Sequence, residues 1–398
     1  MGDVEKEPVL DVPPVPSWYP SALVEAPCEP AQFSFGLPSP WGRLRGWDYT
    51  AALSPIWWST VKKNAWGEWP QKVEQVSVVT HTRRAVVLDL DERWTVHLYP
   101  FPTGKEVSTL ALYSPWAEVL TKAPLLMPVA GLHGDDGDMV AVFPKHTCVS
   151  SASLVGQADA LAEGLGRLHQ TLVPHATPNT ERRWNDRLKA MEDGLKSTTL
   201  WRASHTKHVV GLPSVEVSLD AVLEGKEGLH FVPQPRSVVD RLLAPAERLP
   251  GVAMVARLEQ RLALNGAFEG GQGREAFYER WGSLLPRAWT SSASVSTVNG
   301  GVWIWRYEAI LLMLAEARAH GLTEQAAQCD RWLLDVSRIQ ARLGELRTVH
   351  AVRKGALYAA IAAALIGSGP LQVPFIAGSL AVGVSAHLVH RKRTPPPY

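Results

Sequence analysis

Few residues in this chain stand at spacings that could do chemistry. His133-Gly134-Asp135 is one such group, because a His-Gly-Asp triplet can carry a catalytic Asp. It lies in a Gly/Asp-rich stretch between two predicted strands, where a solvated hairpin tip is the simpler reading. Asp135, Asp136 and Asp138 could hold a hard cation, but calcium loops need more oxygen ligands, and the terminal Glu is missing. Gly164-Leu165-Gly166 lacks the third glycine of a dinucleotide fingerprint and sits inside a helical pattern, so it reads as close helix packing. The chain has no phosphate-binding P-loop, no HExxH zinc helix and no serine nucleophile elbow. Cys28, Cys148 and Cys329 lie far apart and make no disulfide framework, which suits a reducing compartment.

The chain must position whatever chemistry it has within 398 residues, room for two or three domains with a substantial core. Apolar residues at 46% and charged residues at 20% fit a folded protein. A formal charge of +1 gives no electrostatic reason to expect nucleic-acid binding. The N-terminus is acidic with no apolar run, so no signal peptide is expected, and Lys6 stands where a myristoylation motif needs Ser or Thr. Seven of the 16 tryptophans fall before residue 70: Trp18, Trp41, Trp47, Trp57, Trp58, Trp66 and Trp69. They read either as an aromatic recognition surface or as an irregular extension whose rings pack on the next domain.

Residues 1–70 therefore form a Pro/Trp-rich arm, with one short helix predicted from Pro55 to Val61 behind Ser54. Three short strands follow, over 73–79, 84–90 and 94–99, as an antiparallel meander. A helix is predicted over 106–121 and two more strands over 126–131 and 138–144. From Ser151 the chain reads as helical, with helices over 155–172, 179–195, 238–244, 252–264, 274–285 and 302–320, and a last long one from Thr323 to about Leu343. A strand pair over 215–223 and 229–232 interrupts them, and Gly270-Gly271-Gln272-Gly273 reads as a loop.

This order, a five-stranded lobe with one helix after its third strand and then a helical lobe with an embedded strand pair, resembles the aminoglycoside phosphotransferase/choline kinase group of kinase-like folds. Trp94-Thr-Val-His-Leu-Tyr-Pro100 is similar to the family's third strand, with His97 at the place of its Lys. Glu106 matches that Lys's ionic partner, and 161–169, ending in Leu168-His169, resembles the helix before the catalytic loop. The segment 214–223 resembles the His-Gly-Asp-x-x-x-x-Asn-Val-Leu catalytic stretch, with 229–235 where the metal-binding Asp falls. The resemblance puts Ser214 and Val215 at the His and Gly, Glu216 at the catalytic Asp, Ala221 at the metal-binding Asn, and Pro233 or Gln234 at the second metal position. The turn Thr80–Arg83 has no glycine to bring backbone amides to a phosphate. Phosphoryl transfer depends on positioning and on neutralising phosphate charge, so these departures argue against ordinary metal-dependent kinase activity. Glu216 as base with Asp220 as an improvised metal ligand stays open, beside solvated loop carboxylates; His97 reads more simply as a strand histidine hydrogen-bonded locally.

From Gly355 to Val389 there is no Asp, Glu, Lys or Arg. Arg353-Lys354 precede this tract, and Arg391-Lys392-Arg393 follow it. Pro370 and Pro374 split it into two 15-residue halves, each about 22 Å as helix and short of the roughly 30 Å hydrocarbon core. The halves read as a membrane hairpin with both basic flanks on the cytoplasmic side, or as a helical pair buried in protein. The sequence thus predicts an α+β, two-lobed kinase-like fold: arm 1–70, small antiparallel β lobe 71–147, helical lobe 148–345, and apolar hairpin with a short tail 346–398. It points to a catalytically silent binding or scaffold protein with protein partners, attached to the cytoplasmic face of a membrane through 355–389. The alternatives are a divergent small-molecule phosphotransferase and a structural subunit of a larger assembly. No metal or cofactor is expected; nucleotide binding stays open.

Overall fold

The computed structural model describes residues 37–39, 42–104, 122–178, 181–197, 210–213, 215–244, 248–268, 270–290 and 301–393. The helix expected at 106–121, and with it Glu106, lies outside the described residues, as does Ser214. In chain order the strands are β1 (Leu37–Ser39), β2 (Gly42–Leu44), β3 (Ala65–Gly67), β4 (Val76–His81), β5 (Val86–Leu90), β6 (Trp94–Leu98), β7 (Ala130–Gly134), β8 (Gly137–Pro144), β9 (Thr177–Pro178), β10 (Val210–Gly211), β11 (Val222–Gly225) and β12 (Gly228–Phe231). The helices are α1 (Pro55–Thr60), α2 (Ser151–Val155), α3 (Ala158–Leu172), α4 (Glu181–Leu195), α5 (Val238–Leu243), α6 (Gly251–Leu264), α7 (Gly271–Gly282), α8 (Arg287–Thr290), α9 (Trp303–Ala319), α10 (Thr323–Ile366) and α11 (Gln372–Arg393). The architecture is α+β, an antiparallel sheet and a helical region with two apolar C-terminal helices. Two compact units form: one from the described residues up to Leu154, those between 214 and 247, and Leu312–Ala326, and one from the remainder.

In the first unit one antiparallel sheet has the order β3-β7-β8-β6-β5-β4. Five of its strands follow the expected meander and pair; the sixth, β3, comes from the arm and pairs along β7. The chain can leave β3 there because Gly67 takes φ +72°, and a Cβ at that position would meet the Val129 carbonyl oxygen at 2.1 Å. Alternation puts Val86, Leu88, Leu90, Val96, Leu98, Val140 and Val142 in one apolar cluster with Trp58, Trp69, Tyr49 and Ala52. Trp58 and Trp69 therefore pack as core with Trp47 and Trp57 partly buried against them, while Trp18 and Trp41 lie outside the described residues. Trp58 and Trp69 stack with centroids 5.1 Å apart, and their indole N–H groups donate to Ala52 O and Trp58 O. Ala85, Tyr99, Ala141 and Phe143 join a separate cluster with Ala221 and Val232. Residues of both alternation sets are buried in β5, β6 and β8, and in β6 the second set is polar, Thr95 and His97.

The turn between β7 and β8 is tighter than expected: only Asp135-Asp136 lie outside the ladder, and His133 pairs with Asp138. Asp135 is exposed, but Asp138 is only 1% exposed. Its Oδ1 lies 3.2 Å from His133 Nδ1, and its backbone N–H donates to Thr103 Oγ1. This carboxylate is buried against His133 rather than forming part of a solvated tip, and the backbone N–H makes the bond to Thr103.

The second unit is helical. Gly166 of α3 lies where a Cβ would press on Trp281 O and Leu284, so the two-glycine pattern serves close helix packing. Trp281 Nε1 donates to His169 Nδ1 at 2.9 Å. Two buried carboxylates tie helices together: Glu308 accepts from Arg187 and Arg257, and Glu259 accepts from Arg306 and Tyr278. The glycines at 271–273 form the first turn of α7, not a loop, because Gly270 at φ +90° supplies the bend before it.

The last long helix does not stop near Leu343. α10 runs 44 residues to Ile366, about 66 Å, because neither Gly344 nor Gly355 is backed by a breaker until Gly367-Ser-Gly-Pro370. Pro374 falls in the first turn of α11, where the missing N–H has no intrahelical partner to lose. α11 is therefore one 22-residue helix of about 33 Å, longer than the 15-residue half expected from the prolines. The two helices return antiparallel: Gln372 Nε2 donates to Ala363 O, Gly383 faces Ala356, and Arg342 Nε donates to Arg393 O. In the apolar stretches of the two helices almost no residue is buried among the described residues.

Candidate functional site

The segment from Val215 to Arg236 is the stretch in which the resemblance places the catalytic and metal positions. It is held by backbone bonds. Val232 N–H donates to Ala221 O, Gln234 N–H to Glu216 O, and Val149 N–H to Val222 O. These bonds fix where each side chain goes. Ala221 and Val232 face Ala85, Ala141 and Phe143 in a common apolar cluster, with Ala221 3% exposed. Pro233 and Gln234 are buried, and Gln234 Nε2 reaches back to Val232 O at 3.4 Å. Glu216 is half-buried and Asp220 is exposed at the turn. Among the described residues no group of three or more His, Cys, Asp or Glu side chains is placed to hold a metal ion.

His97 lies in β6 between Val87 and Ala141 and is 4% exposed. Its ring lies 5.0 Å from Phe143 and 6.2 Å from His146, and its Nδ1 has no hydrogen-bond partner. The local hydrogen bond expected for this strand histidine is thus not made at Nδ1; aromatic neighbours take its place. Burial, helped by His146 and opposed by Asp220, pushes its pKa down to about 3. The imidazole is neutral and cannot stand in for a phosphate-binding cation. Cys148 is driven up to about 11 by burial and then by Asp220, so its thiol stays protonated. Asp220 thus acts electrostatically on both His97 and Cys148.

The residue that sequence reasoning missed is Arg84, at the turn between β4 and β5. It is 6% exposed, donates from Nε to Pro235 O at 3.1 Å and from Nη1 to Ser218 Oγ at 3.1 Å. Its guanidinium bonds to both ends of the 218–235 stretch. Next to it, Arg83 donates to Glu316 and Gln325. Thr82 Oγ1 accepts from the backbone N–H groups of Arg84 and Ala85, so those amides are engaged inside the turn. The one available signal was Thr82-Arg83-Arg84 in a glycine-free turn.

The second unit holds a pocket of about 750 Å³ floored by Trp303, Ile310 and Val336 and rimmed by Arg274, Arg338 and Arg342. None of these residues belongs to a sequence motif.

No protein family and no curated protein matches the chain. Solved structures similar to it include APH(2")-IIia in a GDP and kanamycin complex, at 9% identity over 67% of this chain and 94% of that one, TM-score 0.42. A glucosamine kinase (crystal form A) is similar at 12% identity over 76% of this chain and 86% of that one, TM-score 0.43.

Proposed function

We propose that this chain is a kinase-like protein that does not carry out metal-dependent phosphoryl transfer, and that it works by binding protein partners at the cytoplasmic face of a membrane. One observation carries the reading: the positions where the resemblance requires metal ligands are Ala221, inside an apolar cluster, and the buried Pro233 and Gln234. Arg84 bonds across the same stretch, and the neutral His97 supplies no charge at the strand position. Catalysis of phosphoryl transfer rests on groups that neutralise charge as it develops, and loss of one such group costs about 10²–10³ in rate. The membrane part of the reading is supported by α11 and the end of α10, whose Leu357, Leu365, Ile366, Val373 and Phe375 are exposed among the described residues. Titration calorimetry with magnesium-ATP tests the silent-domain reading: no magnesium-dependent binding is expected, and tight binding with turnover overturns it.

A second reading, a divergent small-molecule phosphotransferase, is favoured by the exposure of Asp220 and its electrostatic reach to His97 and Cys148. It requires Glu216→Gln to abolish a phosphoryl transfer that the unaltered chain performs. A structural subunit of a larger assembly is the third reading; it requires the apolar helices to be covered by other chains in a purified complex.

A further inference from the structure

Resting on the membrane reading above, we propose that the base of the C-terminal hairpin is a binding surface for acidic phospholipid headgroups. The antiparallel return of α11 along α10 gathers at one end two basic runs that are nearly 40 residues apart in sequence, Arg353-Lys354 and Arg391-Lys392-Arg393. With Arg342 and Arg347 of α10 they make seven Lys and Arg side chains, against one carboxylate, Glu345, over 342–354 and 390–393. Side-chain contacts join the runs into one collar. Arg353 lies 3.2 Å from both His387 Nδ1 and His350 Nδ1, and the His350 and His390 rings are 5.7 Å apart. Glu345 lies 3.9 Å from Arg393 and offsets little of this charge. Like charges held together in this way repel, and an anionic surface relieves the repulsion.

The apolar hairpin starts at the collar's edge, which sets the depth at which the collar must lie. Gly355 follows Lys354 directly, and Tyr358, 67% exposed, stands one turn further in, where an aromatic ring suits the lipid–water interface. From Arg353 to Ile366 is about 20 Å of helix, and from Gln372 to His390 about 27 Å. Both distances fall short of the roughly 30 Å hydrocarbon core, and the apex, Gly367 to Leu371, carries no charge. The hairpin therefore enters from one side, stops short of the far headgroups and returns, and the whole collar meets the headgroups on the side of entry. Phosphate and carboxylate headgroups fit its guanidinium and ammonium groups; a zwitterionic surface offers no net charge to neutralise.

The test is cell-free synthesis of the full chain in the presence of vesicles, followed by flotation. Phosphatidylcholine vesicles are compared with vesicles holding about 30% phosphatidylglycerol. The variants are Arg391→Gln/Lys392→Gln/Arg393→Gln and, as a control away from the hairpin, Lys62→Gln/Lys63→Gln. Expected is at least about tenfold greater partition into acidic vesicles, lost in the triple variant and weakened when salt rises from about 0.1 M to about 0.5 M, with the control unchanged. Equal flotation with both vesicle types, unaffected by the triple variant, overturns the headgroup proposal and leaves the membrane reading standing. Failure to float with either vesicle overturns the membrane reading and the proposal with it.

Discussion

Two apolar regions of this chain, the end of the arm and the C-terminal hairpin, meet opposite fates. In the arm, Trp58 is fully buried, stacked on Trp69 and bonded through its indole N–H to Ala52 O. In the hairpin, Leu365 is 80% exposed, and its neighbours Ala362, Ala363, Ala364 and Ile366 have no polar handle. Apolar composition alone does not distinguish them. What differs is the partner: β3 and α1 lie within the unit that holds the sheet, whereas α11 packs on α10 and leaves its other faces open. The arm's apolar groups stabilise the fold, and the hairpin's are exposed among the described residues.

Breaking the first half of this contrast should give the largest effect. Trp58→Ala removes a ring at the centre of the core and is expected to cost about 3–5 kcal/mol, read as a lower denaturation midpoint in urea. A cost below about 1 kcal/mol would mean that the arm is not core.

Acid should give the next largest effect. His97 and His169 are both held neutral by burial, from the ordinary 6.5 down to about 3. The unfolded chain binds protons on them below pH 6.5 and the folded chain does not, so unfolding is favoured as pH falls. Their contribution is complete above about pH 6.5 and is lost as pH falls towards about 3, on the order of a few kcal/mol per residue at most. His97→Phe removes one such group, and its stability measured against pH should fall less steeply through this window. An unchanged slope would mean that His97 is solvated.

Arg84→Ala leaves Pro235 O and Ser218 Oγ without their guanidinium donor, and an expected loss of about 1–3 kcal/mol follows. Hydrogen exchange over 215–235 should rise with it. If stability and exchange both stay at the level of the unaltered chain, the bridge does not hold this segment. The smallest effect sharpens the other half of the contrast. Leu365→Ser should shift the urea midpoint by no more than about 0.5 kcal/mol while reducing flotation with vesicles. A large loss of stability would place the hairpin in the core of the fold.

The candidate site was legible in what it lacks. Ala221, Pro233 and Gln234 cannot supply a metal-binding carboxylate whatever surrounds them. What surrounds them was not legible, because Arg84 reaches Pro235 across 151 positions and no local pattern encodes that contact. His97 reads from the strand period as half of an alternating pair, but that period cannot say that Phe143 and His146 would enclose it.

By itself the sequence determined the alternation of β4 to β8, the helical spacing around Gly166 and the uncharged tract after Lys354. Each depends on residues within a few positions of one another. Tertiary structure alone decided that β3 closes the sheet edge. It also decided that Arg353 meets His387. Such pairings are set by which distant surfaces exclude water or share hydrogen bonds together, a cooperative outcome that local propensity biases without fixing.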